Sequence, residues 1–471
     1  MPVPARKALA PPPVPQMRNP ATRLDRILRL LSLACFASIA MASRANAQGL
    51  REKISELFIF GPGQEPLFLA GSADPNNPAS LQAHGLHFIP SSAAENGSII
   101  TFITDALGAS VANIPIGSTS GGITFRFEGG APVPTSTSAG PIFAERAQTL
   151  GRGRVLAGIS RTAFRFATLR GVDMKDIGLV FTHQNVDFEG CDEQFGGDCS
   201  LYGVPVLEND AIDFRLSMDL KVRVTSMYVT YGVSDRFDMG LVVPIVQADF
   251  RGESEAQVRP FGGTTVAHYF AGTATNPVLS ANRQSLGDAA GLGDVALRAK
   301  LNLRETPHGG FAILVDGRFP TGSRQDLLGS GKFAGRAMAI FNSRFGDFSP
   351  HANVGYLYHA GTQQNDAVLA TIGFDDRMAD RVTLAADLVT ELQVGDSKLQ
   401  LPPLVNYEAP FRRTLNPTNI PEIRDDLVNG SFGVKVTPAT STTLVLNALF
   451  PLNRGGLRAN LVYTAGIEYT F

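Results

Sequence analysis

From Ile212 to Thr225 the chain alternates without a break for fourteen residues. Ile212, Phe214, Leu216, Met218, Leu220, Val222 and Val224 are apolar, while Asp213, Arg215, Ser217, Asp219, Lys221, Arg223 and Thr225 are polar or charged. A period of two belongs to a β-strand, whose side chains point to opposite faces in turn. The run is long for a globular strand. It suits a tilted strand that crosses a bilayer with its apolar side to lipid and its polar side to a lumen. On that reading Asp213, Arg215, Asp219, Lys221 and Arg223 face inward. After Thr225 the apolar residues move to Met227, Val229 and Tyr231, which predicts a bulge near Thr225 or Ser226.

Weaker copies of the pattern place Arg298, Lys300, Arg318, Asp387 and Glu391 on the lumen side as well. Their mixed signs suit paired charges that line a solute path, grip a plug, or only stabilise a polar lumen. Outside the N-terminus there is no apolar run long enough for a membrane helix. A membrane protein without such helices must be a closed barrel, because lipid offers no partner to a free strand edge. The expected strands are 153–168, 174–188, 211–231, 235–250, 291–304, 309–319, 333–346, 350–361, 365–376, 380–394, 427–437, 440–450 and 457–471, with 121–128 as a further one. The fold expected is therefore all-β, an antiparallel transmembrane β-barrel of about 14 strands.

The connections sort by length. Turns at 169–173, 232–234, 305–308, 346–349, 376–379 and 438–439 are short and are assigned to the periplasmic side. The long connections, about 189–210, 251–290 and 395–426, fall on the outer side, as in outer-membrane barrels. In the last strand Leu461, Tyr463, Ala465, Ile467 and Tyr469 share one face with the final Phe471. Tyr463, Ile467, Tyr469 and Phe471 resemble the terminal signal read by the barrel assembly machinery of such proteins.

The N-terminus reads as an export signal over residues 1–47. Arg23, Arg26 and Arg29 precede an apolar stretch from Leu30 to Ala42, and Ala45-Asn46-Ala47 gives a cleavage site. Cys35 is lost with it. Cys191 and Cys199 remain, and an oxidising compartment favours a disulfide closing a small loop. Residues 48–120 alternate poorly and contain the turn-rich DPNNPAS (74–80) and an apolar patch at 99–111. They are read as a plug inside the barrel or as a periplasmic segment, with 121–471 as the barrel.

A formal charge of -2 excludes a nucleic-acid partner recognised by charge. No catalytic motif, metal set or cofactor is expected. Gly329-Ser330-Gly331-Lys332 is not a phosphate loop, since Phe333 stands where Ser or Thr is required. His84 and His87 lack further ligands in sequence. A lipid-modifying barrel would need a Ser partner for His183 or His359, and no motif supplies one.

The phrases YGVSDRFDMGLVVP (231–244), GLGDVALRAKLNL (291–303) and FPTGSRQDLLGSG (319–331) resemble the outer-membrane family named for the meta-cleavage pathway of phenol degradation, related to the long-chain fatty-acid channels. ADRVTLAADL (379–388) resembles a second copy of the first phrase. The resemblance covers about 230–470. It implies a barrel of about fourteen strands, a small N-terminal hatch, and passive uptake of small hydrophobic or aromatic compounds through the outer membrane of a Gram-negative bacterium. Asn77-Pro78-Ala79 resembles the hatch start of the fatty-acid channels, some thirty residues late. The alternatives are a structural or adhesive barrel and a lipid-modifying enzyme.

Overall fold

The structure, a computed structural model, describes residues 49–60, 103–107, 125–128, 131–134, 139–182, 190, 193, 209–261, 266, 268–273, 275–361, 364–407 and 411–471. The export signal, Cys191, Cys199, His84, His87, His183 and most of 48–120 lie outside these residues. Twelve strands close into one ring: β1 Val155–Leu169, β2 Ala211–Ser234, β3 Phe237–Arg259, β4 Val295–Thr306, β5 Gly309–Phe319, β6 Ala334–Ser343, β7 Phe348–His359, β8 Ala367–Ala379, β9 Val382–Gln393, β10 Leu427–Ala439, β11 Thr442–Pro451 and β12 Leu457–Thr470. Each pairs antiparallel with its sequence neighbours. The ring closes where β12 pairs with β1, from Leu457 against Leu169 to Thr470 against Leu156. Closure leaves no strand edge in the ring to be satisfied by lipid.

The expected count of about fourteen is corrected to twelve. Of the expected strand 174–188, the described part, 174–182, does not form a separate wall strand. Their strand, Ile177–Thr182, continues the line of β1 along β2, pairing Ile177 with Leu216 and Thr182 with Ala211. A short detour through Arg170 and Gly171, both at positive φ, interrupts the line. The turn at 169–173 consequently lies at the long-loop end, where the Arg170 amide bonds the Gly456 carbonyl. Residues 125–128 pair with 131–134 in a hairpin of their own. Alternation identifies a strand but not its neighbour, so an interrupted strand counts twice. Ser280–Leu292 and β4 likewise run in line against β3, and the Gly293 amide bonds the Pro244 carbonyl at the step between them. Pro244 therefore stands where β3 changes partners and lacks an N–H where the ladder is already interrupted.

The bulge expected near Thr225 is also corrected. The β2–β3 register runs unbroken from Ala211 against Arg259 to Gly232 against Asp238. Even-numbered residues of β2 face inward along the whole strand. What changes is the surroundings. Below Thr225 the outward residues are Met227, Val229 and Tyr231, while Ser226, Tyr228 and Thr230 point in. Above it the outward residues are Asp213, Arg215, Asp219, Lys221 and Arg223, while Ile212 to Val224 point in and are buried. These five charged residues were expected in the lumen and stand on the opposite face. On β3 the outward set changes in the same way, from Met239, Leu241, Val243 and Ile245 to Gln247, Asp249 and Arg251. The change falls at one height, since Thr225 pairs with Ile245. A strand that leaves the membrane exchanges lipid for water outside and a polar lumen for a dry core inside. Its alternation then inverts in chemistry without shifting in register.

Above that height, residues 211–224 extend roughly 45 Å along the strand at about 3.3 Å per residue. Exposed ion pairs cover the outer face: Arg223–Asp249 at 2.6 Å, Arg259–Asp213 at 2.9 Å and Arg165–Asp219 at 2.7 Å. Each is worth little in stability, but together they show that this face meets water. The inner face packs on helix α1, Leu50–Ser55, and the turn Glu56–Phe58. Leu50, Ile54, Leu57 and Phe58 are buried there, and Phe58 stacks on Phe214 with centroids 4.5 Å apart. Burial alone would raise the Glu56 carboxyl, but bonds from Lys53 and Ser285 hold it below its ordinary value.

Below that height the outside is apolar. Leu301, Val315, Ile372, Leu388 and Leu446 are exposed there, an apolar surface of the kind that lipid covers. Aromatic pairs sit near its lower rim, Phe311–Phe341, Phe348–Phe374 and Tyr469–Phe471, with Phe319–Phe333 at the upper rim. Such girdles mark the two interfaces of a membrane barrel. Tyr463, Ile467, Tyr469 and Phe471 all point outward, and the Phe471 amide bonds the Val155 carbonyl.

Single cysteines test this boundary. With Cys191 and Cys199 replaced by Ser, a membrane-impermeant maleimide on intact cells should label Ser217→Cys and spare Val229→Cys. Equal labelling would contradict the inversion.

Candidate functional site

The lower lumen is polar because every second residue of the wall points into it. Arg298, Lys300 and Asn302 come from β4, Asp316 and Arg318 from β5, His351 and Asn353 from β7, Asp375 from β8 and Asp387 from β9. All are buried. Of the residues expected in the lumen, Arg298, Lys300, Arg318 and Asp387 lie here, and Glu391 is inward and half-buried.

Residues 139–150, just before β1, cross this space in an extended path. All but Phe143 and Gln148 are buried. The segment begins at β9 and β10, where the Ala139 amide bonds Thr383 Oγ1 and its carbonyl accepts from Lys435 Nζ. It then meets β7, where the Glu145 amide and carbonyl bond Asn353 at 2.7 and 3.0 Å. The Ala147 amide bonds Asn342 Oδ1, and its carbonyl accepts from Asn302 Nδ2 at 2.8 Å. It ends against β3, with the Leu150 amide on the Asp238 carboxylate at 3.0 Å. Irregular backbone at membrane depth survives only when protein satisfies its polar groups. Here Asn, Thr, Lys and Asp side chains of the wall do so. The chain then turns through Gly151 and Gly153, both at positive φ, into β1. A Cβ on Gly232 would stand 1.9 Å from the Gly151 carbonyl, so the wall is thinned to let the segment pass.

Two side chains anchor the segment by charge. Glu145 pairs with Arg298 at 3.3 Å and Lys300 at 3.7 Å. Arg146 pairs with Asp375, which also faces His351 at 3.5 Å, and His351 bonds Asp387 at 2.7 Å. Glu145, Arg146, Arg298, Lys300, His351, Asp375 and Asp387 are all buried, so the loss of one partner leaves a charge uncompensated.

Above the segment lies a cavity of about 310 Å³, at the small end of ligand pockets. Phe143 and Glu145 reach it from the segment. Its lining mixes apolar residues, Phe164, Phe166, Leu449, Leu457 and Val462 among them, with the polar Arg318, Arg336, His359, Glu391 and Arg458. His359 bonds the Asn365 carbonyl through Nδ1 at 2.8 Å. Sequence reasoning missed Glu145, Arg146, His351, Asp375 and Arg458. His351 and Asp375 sit at the inward parity of their strands and were within reach of alternation. Residues 139–150 have no periodicity and carry no such signal.

These features define a membrane-spanning β-barrel whose lower lumen is crossed by its own chain. Residues 205–401 match the family described as "Putative MetA-pathway of phenol degradation", to which the chain is similar over that stretch. The resemblance read from the sequence is thus borne out there. Similar solved structures include an outer membrane channel from Pseudomonas putida F1, 13% identical, covering 69% of this chain and 98% of that one at a TM-score of 0.39. A deletion mutant of the TodX monoaromatic hydrocarbon channel is 12% identical, covering 78% and 99% at 0.34. A FadL homologue from Pseudomonas aeruginosa is 11% identical, covering 68% and 89% at 0.29. No curated protein matches the chain.

Replacing Asp375 with Asn leaves Arg146 buried without its carboxylate, at a cost of about 3–5 kcal/mol. Amide exchange of residues 139–150 should then quicken markedly while that of β12 and β1 stays unchanged. Unchanged exchange of 139–150 would show that the pair does not anchor the segment.

Proposed function

We propose that the protein is an outer-membrane channel for passive uptake of small hydrophobic or aromatic compounds. The observation that carries this is the cavity lined by both apolar and charged residues, set between an apolar upper zone and the segment 139–150. A solute entering from outside meets apolar surface first and is held above the segment. The family's description, which names phenol degradation, agrees with an aromatic cargo. Passage inward then requires 139–150 to shift, or an exit through the wall. The export signal cleaved after Ala47, a Cys191–Cys199 disulfide and a terminal strand read by the assembly machinery complete the reading.

Solute entry into liposomes carrying the refolded mature protein, with a lipopolysaccharide outer leaflet, tests it. Naphthol entry should exceed that of protein-free liposomes while glucuronate entry does not. Passage of glucuronate alone would mean a general porin. No passage of either would mean a structural barrel.

A further inference from the structure

We propose that the outer face of β1 and β2, at the height where the surface changes from apolar to charged, docks the phosphorylated glycolipid of the outer leaflet, the lipid A part of lipopolysaccharide. The site centres on Ala163, which lies between Arg161 and Arg165 on the outward side of β1. Residues directly opposite in an antiparallel pair share a face. Arg223 of β2 therefore flanks Ala163 on one side and Tyr463 of β12 on the other, while Lys221 flanks Arg165. The single methyl group of Ala163 leaves room between three guanidinium-bearing side chains and a phenol.

The four cations are all exposed, and among the described residues Arg161 has no hydrogen-bond or ion-pair partner. Arg165 meets Asp219, which also has Lys221 at 3.9 Å, and Arg223 meets Asp249. Each of these carboxylates stands one row further from the membrane than the arginine it meets, since Asp249 is level with Lys221 and Asp219 lies beyond it. Four cations against two carboxylates leave a charge of +2. Exposed ion pairs hold weakly, so they yield to a phosphate, whose oxygens the arginine fork meets with two parallel bonds.

Height and the surface below distinguish a lipid from a free anion. Arg161 is level with Thr225, where the outward residues change. Arg223 stands roughly 5 Å and Lys221 roughly 10 Å higher along the membrane normal, for strands rising about 3.3 Å per residue at a tilt of about 40°. The headgroup layer occupies about the first 5–7 Å beyond the hydrocarbon core. One row below Arg161 the same face carries Ile159, with Met227 and Ile467 beside it, and both isoleucines are exposed. Phosphate on the arginines leaves acyl chains lying on these apolar side chains, and Tyr463 stands at the level where amphipathic rings collect. Inorganic phosphate gains the first contact without the second. The long connections lie at this end of the ring, which turns the site to the outer leaflet. The docking does not depend on what the channel carries.

Native mass spectrometry of the refolded mature protein in detergent tests this, with bisphosphorylated lipid A, dephosphorylated lipid A and inorganic phosphate as probes. The unaltered protein should retain bisphosphorylated lipid A. Dephosphorylated lipid A should bind at least about tenfold more weakly, the worth of one charge-assisted hydrogen bond. The double variant Arg161→Gln/Arg223→Gln should lose the same factor for the phosphorylated lipid and nothing for the dephosphorylated one. Arg215→Gln, on the same face further out, should change neither. Heat-modified migration on gels confirms that each variant is folded. Equal retention of the two lipids overturns the proposal, as does retention that survives in the double variant. If Arg215→Gln weakens retention as much as the double variant, the whole charged face attracts lipid and the basin is not a site. Displacement of the lipid by excess inorganic phosphate overturns the lipid assignment, and no retention at all overturns the site.

Discussion

A polar backbone group at membrane depth needs a protein partner, and that requirement shapes this molecule twice. In the wall it forces the strands into a ring, closed by β12 on β1. In the lumen it decides what the wall must carry. An extended segment crosses the lower lumen, so Thr383, Asn353, Asn342, Asn302 and Asp238 point inward to bond its amides and carbonyls. Barrel size permits the arrangement. About eight strands leave an interior that side chains alone fill, and about sixteen leave a water-filled channel. A ring of twelve lies between these limits, with room for one chain and a small cavity above it.

The same alternation serves two solvents. Below Thr225 the barrel is apolar outside and polar inside, and above it the order is reversed. The upper zone is therefore an ordinary water-facing sheet with a dry core, to which α1 contributes Leu50, Ile54 and Leu57. A solute descending from outside would pass from this core into a cavity lined by both apolar and charged residues. The segment 139–150 stands beneath it, and its links to the wall through Glu145 and Arg146 are electrostatic. Links of that kind hold firmly when complete and fail together when one partner is lost.

The barrel was legible in the sequence because period-two alternation survives in every wall strand. Arg298, Lys300 and Asp387 fell on the inward face for the same reason. Asp213, Arg215, Asp219, Lys221 and Arg223 did not, although their strand was the clearest of all. Parity assigns residues to two faces, but which face is wet depends on where the membrane ends. That boundary was visible only as a change of the apolar residues from even to odd positions near Thr225, which a bulge would also produce. The strand count exceeded the ring because the line of β1 is broken by a detour at Arg170 and Gly171 and resumes at Ile177. Residues 139–150 gave no signal at all, since their bonds run to side chains more than 80 residues away in sequence.

Closure of the lower lumen by residues 139–150 is read by ion conductance across a planar bilayer. The intact protein should carry no steady current, and replacing 139–147 with a Gly/Ser stretch of equal length should produce one. A steady current through the intact protein, unchanged by that replacement, would contradict it.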